Sequence, residues 1–303
     1  MSVLHILLPP QAGDESALRR WLARGDRLPD VPNPRNHALR TLFRFACTTM
    51  PVAALRHHVH ADDAPIESWV CADPAYVRSE ATGARLMKWP LADVSEEDAR
   101  ELSTTLMPLF GDAGAPLAVD TPSMWCLHLP DGAPNVAFMS PVDALGAYLL
   151  ECLPEGDAGR RWRHLFNEAQ VALHAHPVNA ARTAAGKLPV NALWFWGTGR
   201  LPESVETALV TVASNDDLIR GLAKVAQVDC VQTLPEAIEA SIEGGDALLD
   251  LDMRERHDIS GRWVPHFQRW LRGRRFDAIE LAFPGGERFR VRHTHRLRIW
   301  RRG

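Results

Sequence analysis

Apolar positions along this 303-residue chain alternate between two spacings, one suited to strands and the other to helices. Residues 3–8 form a continuous apolar run, and 69–73, 84–89, 124–129, 191–196, 209–213 and 247–251 read as further strands. Between them, residues recur every three or four positions. Leu18, Trp21 and Leu22 follow Ser16, and Leu39, Leu42 and Phe43 mark a helix over 36–46. Another helix starts near Pro51, and Ser95-Glu96-Glu97-Asp98 opens one that turns Leu102, Leu106 and Leu109 inward. Pro141 precedes a helix over 142–153, and 157–173 is the longest candidate, with Trp162, Leu165, Phe166, Ala169 and Leu173 as its buried stripe. Shorter helices are expected over 179–185, stopped by Gly186, and over 215–225, 234–242 and 259–272. Residues 276–283 and 287 onward form a hairpin around Pro284-Gly285-Gly286.

Strands that alternate with helices and lack a polar face predict an α/β fold. The expected architecture is a largely parallel central sheet with helices on both faces and a C-terminal β-hairpin. A single domain over 1–303 accommodates it, with a possible subdomain over 69–205. Only 29–34 and 113–122 read as linkers.

Composition narrows the function classes. A 46% hydrophobic content suffices for a full core, and a net charge of -4 makes nucleic acid an unlikely partner. No apolar run of about twenty residues is present to span a membrane, and the N-terminal run reads as a buried strand rather than a signal peptide. Five cysteines, Cys47, Cys71, Cys126, Cys152 and Cys230, form no C-x-x-C pair, which suits reduced thiols in a cytoplasmic protein. Charge is uneven: Arg288, Arg290, Arg292, Arg296 and Arg298 alternate with apolar residues, making either an edge strand protected by charge or an anion-binding rim. The protected edge is the preferred reading.

The densest chemistry lies in 174–199. His174, His176, Asn179, Arg182, Lys187 and Asn191 supply imidazoles, amides and fixed cations without an intervening acid, ahead of Trp194-Phe195-Trp196 and two glycines. Such donors suit a small phosphorylated or carboxylate ligand. Other clusters read more plainly. Of His57, His58 and His60, only the first and last share a helix face, and a solvated helix end is the preferred reading. Asp73 ends a strand at Pro74, where it caps a turn or faces a ligand, the cap being preferred. Asp250, Asp252 and His257 are weak candidates for a divalent metal.

The pattern H-P-V-N-x-x-R-x-x-x-G-K-x-P-V-N-x-L-W-F-W-G-x-G, starting at His176, resembles a segment of archaeal-type cofactor-independent phosphoglycerate mutases of the alkaline phosphatase superfamily. More closely, it resembles a bacterial offshoot, the regulator-of-pathogenicity-factors E type proteins. Trp69-Val70-Cys71-Ala72-Asp73-Pro74 with Arg78, and Trp162-Arg163 followed by Asn167-Glu168-Ala169-Gln170, echo that offshoot. The resemblance spans about 69–205. It implies that Asn179, Arg182, Lys187 and Asn191 face substrate, and that catalysis would need two metal ions held by Asp and His, a phosphoryl-carrying serine, and an Asp-Gly after the first strand. Here Pro9-Pro10 follows that strand and offers no carboxylate.

The expected function is therefore a non-catalytic regulatory or binding protein on a degenerate mutase-like scaffold, with an anion pocket and no cofactor. One alternative is a metal-dependent phosphoglycerate mutase or phosphatase-like enzyme acting on a small phosphorylated acid. The other is a protein-interaction module.

Overall fold

Strand Val3–Leu7 lies at the middle of a seven-stranded sheet because both of its faces are apolar. Leu4 and Ile6 are fully buried, and Val3 and Leu7 nearly so. It pairs in parallel with Asp246–Asp250 on one side and Ala278–Ala282 on the other. Leu209–Ala213 and then Asp229–Val231 extend the parallel set outward. Beyond Ala278–Ala282 the sheet becomes antiparallel, through Arg288–Arg292 and finally Asp26–Leu28. Helix Val264–Arg272 adds Phe267, Trp270 and Leu271 to a core that includes Leu4, Ile6, Leu249 and Leu281. The fold is thus α/β with a mostly parallel central sheet.

The computed structural model describes residues 2–10, 16–61, 66–81, 83–134, 136–241, 244–254 and 259–298. The chain divides into two compact units, Met1–Ala46 with Glu203–Gly303, and Cys47–Pro202. The seven-stranded sheet belongs to the first. No helix among the described residues is long and apolar enough to cross a membrane.

The second unit is built on an antiparallel sheet around one thirteen-residue strand, Ser68–Glu80. Its first part pairs with Met124–Leu129, its last part with Gly83–Lys88, and most of its length with Ala192–Arg200. Leu117–Thr121 completes the sheet beside Met124–Leu129. Helix Glu96–Asp112 begins as expected at Ser95, whose hydroxyl accepts from the Asp98 N–H while Asp98 reaches back to the Ser95 N–H. Helix Gly156–His174 buries the predicted stripe, and its Trp162 and Phe166 meet Phe195 edge to face.

Several expected boundaries shift for identifiable reasons. Pro74 does not stop its strand, because it falls between the pairings that end at Cys71 and begin at Tyr76, where one side of the ladder is open. The helix expected over 142–153 is two single turns, Pro141–Ala144 and Leu149–Cys152, separated at Gly146 with φ 80°. The stretch 113–122 is not a linker, since it contains a strand. The arginine arm is not the sheet edge either: Arg288–Arg292 is paired on both sides, Asp26–Leu28 forms the edge, and a 3-10 turn, His293–Leu297, carries Arg296 off the strand.

Gly197 and Gly199 serve close packing. A Cβ at Gly199 would lie 2.5 Å from the Pro51 Cβ, and Gly197 has φ 65° with Val52 Cβ 2.8 Å from the same position. Gly199→Ala is expected to destabilise the protein by about 2 kcal/mol or more, read as a lower urea midpoint with unchanged slope.

Candidate functional site

The carboxyl ends of parallel strands are where α/β sheets gather ligand-binding side chains. At that edge of the first unit, Asp250 is 2% exposed and requires compensation. Arg35, on helix Pro34–Leu42, supplies it. Its guanidinium forks onto both Asp250 oxygens, and one nitrogen also donates to Asp216 at 2.7 Å. The Ser214 hydroxyl donates to Asp250 at 2.8 Å and accepts from the Asp216 N–H at 3.0 Å. Burial works against the Arg35 charge, but Asp250 and Asp216 outweigh it and raise its pKa. Asp252 accepts from the Arg254 N–H at 2.7 Å and from Asn215 at 3.4 Å. His257 lies outside the described residues. As placed, both Asp250 oxygens are taken by Arg35, and one of them also by Ser214, while Asp252 accepts from Asn215 and the Arg254 N–H.

The six residues of the expected anion cradle are mostly committed to the protein itself. His176 caps helix Pro177–Ala184, its Nδ1 accepting from the Val178 N–H at 3.2 Å while Nε2 lies 3.0 Å from the Thr105 hydroxyl. Asn179 is buried, donating to the carbonyls of Leu173 and Val190 and accepting from the Val190 N–H. Asn191 makes the same two-way bridge to the backbone of Val77. Arg182 is 3% exposed and binds Asp98 at 2.7 Å, Asp93 at 3.2 Å and the carbonyls of Leu188 and Asp93. Three of the six thus have their donors turned inward. His174 and Lys187 are exposed.

The second unit holds a polar cluster that sequence reasoning underrated. Asp73 is fully buried and caps no turn. It pairs with Arg56, accepts from the indole N–H groups of Trp89 and Trp196 at 3.1 and 2.9 Å, and accepts from the Trp125 N–H. Arg56 also donates to the Cys71 sulfur at 3.0 Å, and burial pushes the Cys71 thiol up to about 12. One residue along the helix, His57 does not lie on a solvated helix end. It is 9% exposed, with its ring 3.9 Å from that of Trp69 and its Nδ1 2.7 Å from Asp120. The strand that carries Cys126 and the helical position of His57 were visible in sequence, but their meeting was not.

Part of the sequence is similar to 2,3-bisphosphoglycerate-independent phosphoglycerate mutases. No family model matches the chain. A probable 2,3-bisphosphoglycerate-independent phosphoglycerate mutase of Geobacter sulfurreducens is 32% identical over 135 residues, 42% of this chain and 34% of the relative. The 2,3-bisphosphoglycerate-independent phosphoglycerate mutase of Methanosarcina barkeri is 28% identical over 157 residues, 49% of this chain and 39% of the relative. The chain thus spans about a third to two fifths of the length of these relatives. Among solved structures, a cofactor-independent phosphoglycerate mutase from Thermoplasma acidophilum aligns over 96% of this chain and 90% of its own, at 14% identity and TM-score 0.48. A protein from Pyrococcus horikoshii aligns over 96% and 87%, at 11% identity and TM-score 0.49.

Arg182→Ala is expected to lower stability by about 3 kcal/mol, because it strips the cation from two carboxylates and two carbonyls. Partial burial raises the Asp98 pKa, but the hydrogen bonds from Arg182 and Ser95 win and hold it below its ordinary 3.8. A carboxyl depressed in the folded state stabilises above its unfolded value and loses that contribution as pH falls. The acid limb below about pH 4 should therefore be shallower in Arg182→Ala than in the wild type, as measured by urea unfolding across pH 2–7.

Proposed function

We propose that this chain is a non-catalytic regulatory or binding protein carried on a phosphoglycerate-mutase-like scaffold, and that it takes a small phosphorylated or carboxylate ligand. The observation that supports this reading is Arg35, whose guanidinium lies between Asp250 and Asp216 at the carboxyl edge of the sheet. A fixed cation there balances the carboxylates that a metal would need, and the Ser214 hydroxyl is spent on Asp250. Phosphoryl transfer of the kind the relatives are named for would require that network to be dismantled.

The anion fits elsewhere in the first unit. A cavity of about 340 Å³ is lined by Arg24, Arg272, Arg292 and Arg296, with Trp21 and Leu271 supplying apolar wall. This size suits a small ligand, and four lining arginines suit its charge. Arg292 and Arg296 belong to the basic arm, so the rim reading of that arm fits better than the protected edge. His174 and Lys187 are not needed for it.

The alternative, a metal-dependent mutase or phosphatase-like enzyme, draws support from the names of the relatives. One experiment separates the two. The protein should show no interconversion of 2- and 3-phosphoglycerate with Mg²⁺, Mn²⁺ or Zn²⁺ supplied, while 3-phosphoglycerate or inorganic phosphate perturbs its tryptophan fluorescence. Arg272→Ala and Arg296→Ala should each weaken that binding about tenfold, the effect of losing one charge-assisted hydrogen bond. Turnover with added metal sinks the proposal.

A further inference from the structure

Asp120 differs from the other buried carboxylates. Asp73 has Arg56 and Asp250 has Arg35. The Asp120 side chain is 8% exposed, yet its partners among the described residues are His57 and Cys126 rather than an arginine or lysine. Its two oxygens divide between them, Oδ1 lying 2.7 Å from His57 Nδ1 and Oδ2 3.6 Å from Cys126 Sγ. The sulfur lies 3.5 Å from the same imidazole nitrogen. Because both groups address one nitrogen, this is not a relay in which a base takes a thiol proton on one side and is oriented from the other. A nucleophilic cysteine is further disfavoured by burial, which raises the Cys126 pKa.

We propose that His57, Asp120 and Cys126 form a binding site for one divalent transition-metal ion, with zinc as the best chemical match. The three ligand atoms lie within 4.8 Å of one another. Tetrahedral zinc with bonds of about 2.3 Å to sulfur and about 2.0 Å to nitrogen and oxygen sets its S···N and S···O edges near 3.5 Å and its N···O edge near 3.3 Å. Both edges to sulfur are already at that length, and the third needs to open by about 0.6 Å, the difference between a hydrogen bond and a coordination edge. Imidazole, carboxylate and thiolate are a donor set for zinc rather than for calcium or magnesium, which prefer oxygen alone. A divalent ion would balance the thiolate and carboxylate in a site that has no fixed cation of its own.

The elements that present the ligands explain what the ion would do. His57 comes from helix Val52–His60, Asp120 from strand Leu117–Thr121 and Cys126 from strand Met124–Leu129. An ion held by all three would fasten that helix to the sheet, with the fourth position left for water. The site lies in the second unit and shares no residue with the Arg35 cluster or the arginine-lined cavity, so it stands or falls apart from the proposed function.

The test uses the full chain, stripped with chelator and titrated with Zn²⁺ and Co²⁺. One ion per chain should bind, Co²⁺ should give a thiolate charge-transfer band, and zinc at a hundredfold excess over its Kd should raise Tm by about 5 °C or more. Cys126→Ser and Asp120→Asn should weaken binding at least tenfold with metal-free melting near that of the wild type, while Cys230→Ser, at an exposed thiol, should change nothing. Unaltered affinity in both ligand variants, or loss of binding in Cys230→Ser, overturns the site. If the ligand variants do not fold, the wild-type spectrum decides, and absence of the thiolate band refutes the proposal.

Discussion

A carboxylate removed from water has to find positive charge or N–H donors, and that requirement organises both units of this protein. Asp73 meets it with one guanidinium, two indoles and a backbone amide. Those donors come from helix Val52–His60, from the strands that carry Trp125 and Trp196, and from Trp89, so satisfying one charge fixes several elements against each other. The high tryptophan count gains a physical role here, because buried indoles need acceptors and Asp73 provides a shared one. Asp250 meets the same requirement through Arg35, and the buried Arg182 meets its converse through Asp93 and Asp98.

The same requirement separates scaffold from chemistry. Phosphoryl-transfer sites of the metal-dependent kind keep carboxylates available to ions, which means leaving them without internal cations. An arginine bound to Asp250 and Asp216 does the opposite, delivering one fixed charge with a rigid fork and no open coordination position. At Asp250 and Asp216 the sheet edge is therefore electrostatically closed. In the first unit, guanidinium-bearing residues Arg24, Arg272, Arg292 and Arg296 line one cavity.

Much of the architecture was legible because it rests on local periodicity. The apolar first strand, the capping box at Ser95 and the stripe from Trp162 to Leu173 are all written within a few turns of chain. The polar clusters were not, because they join residues far apart in sequence. Arg35 to Asp250 spans 215 positions, and His57 to Asp120 spans 63. Composition could show that 174–191 is rich in donors, but not whether those donors face a ligand or the backbone. Short strands such as Asp26–Leu28 and Leu117–Thr121 were missed because three to five residues carry little periodic signal. Pro74 and Gly146 misled in opposite directions, one read as a stop inside a continuous strand and the other overlooked within a broken helix.

The motif that carries the likeness to the mutases is itself a folding device, which limits what the likeness can say about activity. Gly186, at φ 74°, ends helix Pro177–Ala184, where its N–H bonds to the Thr183 carbonyl and the Lys187 N–H to that of Arg182. Asn179 then ties this turn to Val190, Asn191 takes the place of a strand residue opposite Val77, and Gly197 and Gly199 admit Val52 and Pro51 at close range. Each of these positions has a backbone or packing reason to hold its residue type whatever the protein binds. The pattern is therefore compatible with more than one function. Likeness through such residues argues for shared local architecture, and the chemistry has to be read from side chains whose charge the fold leaves unspent.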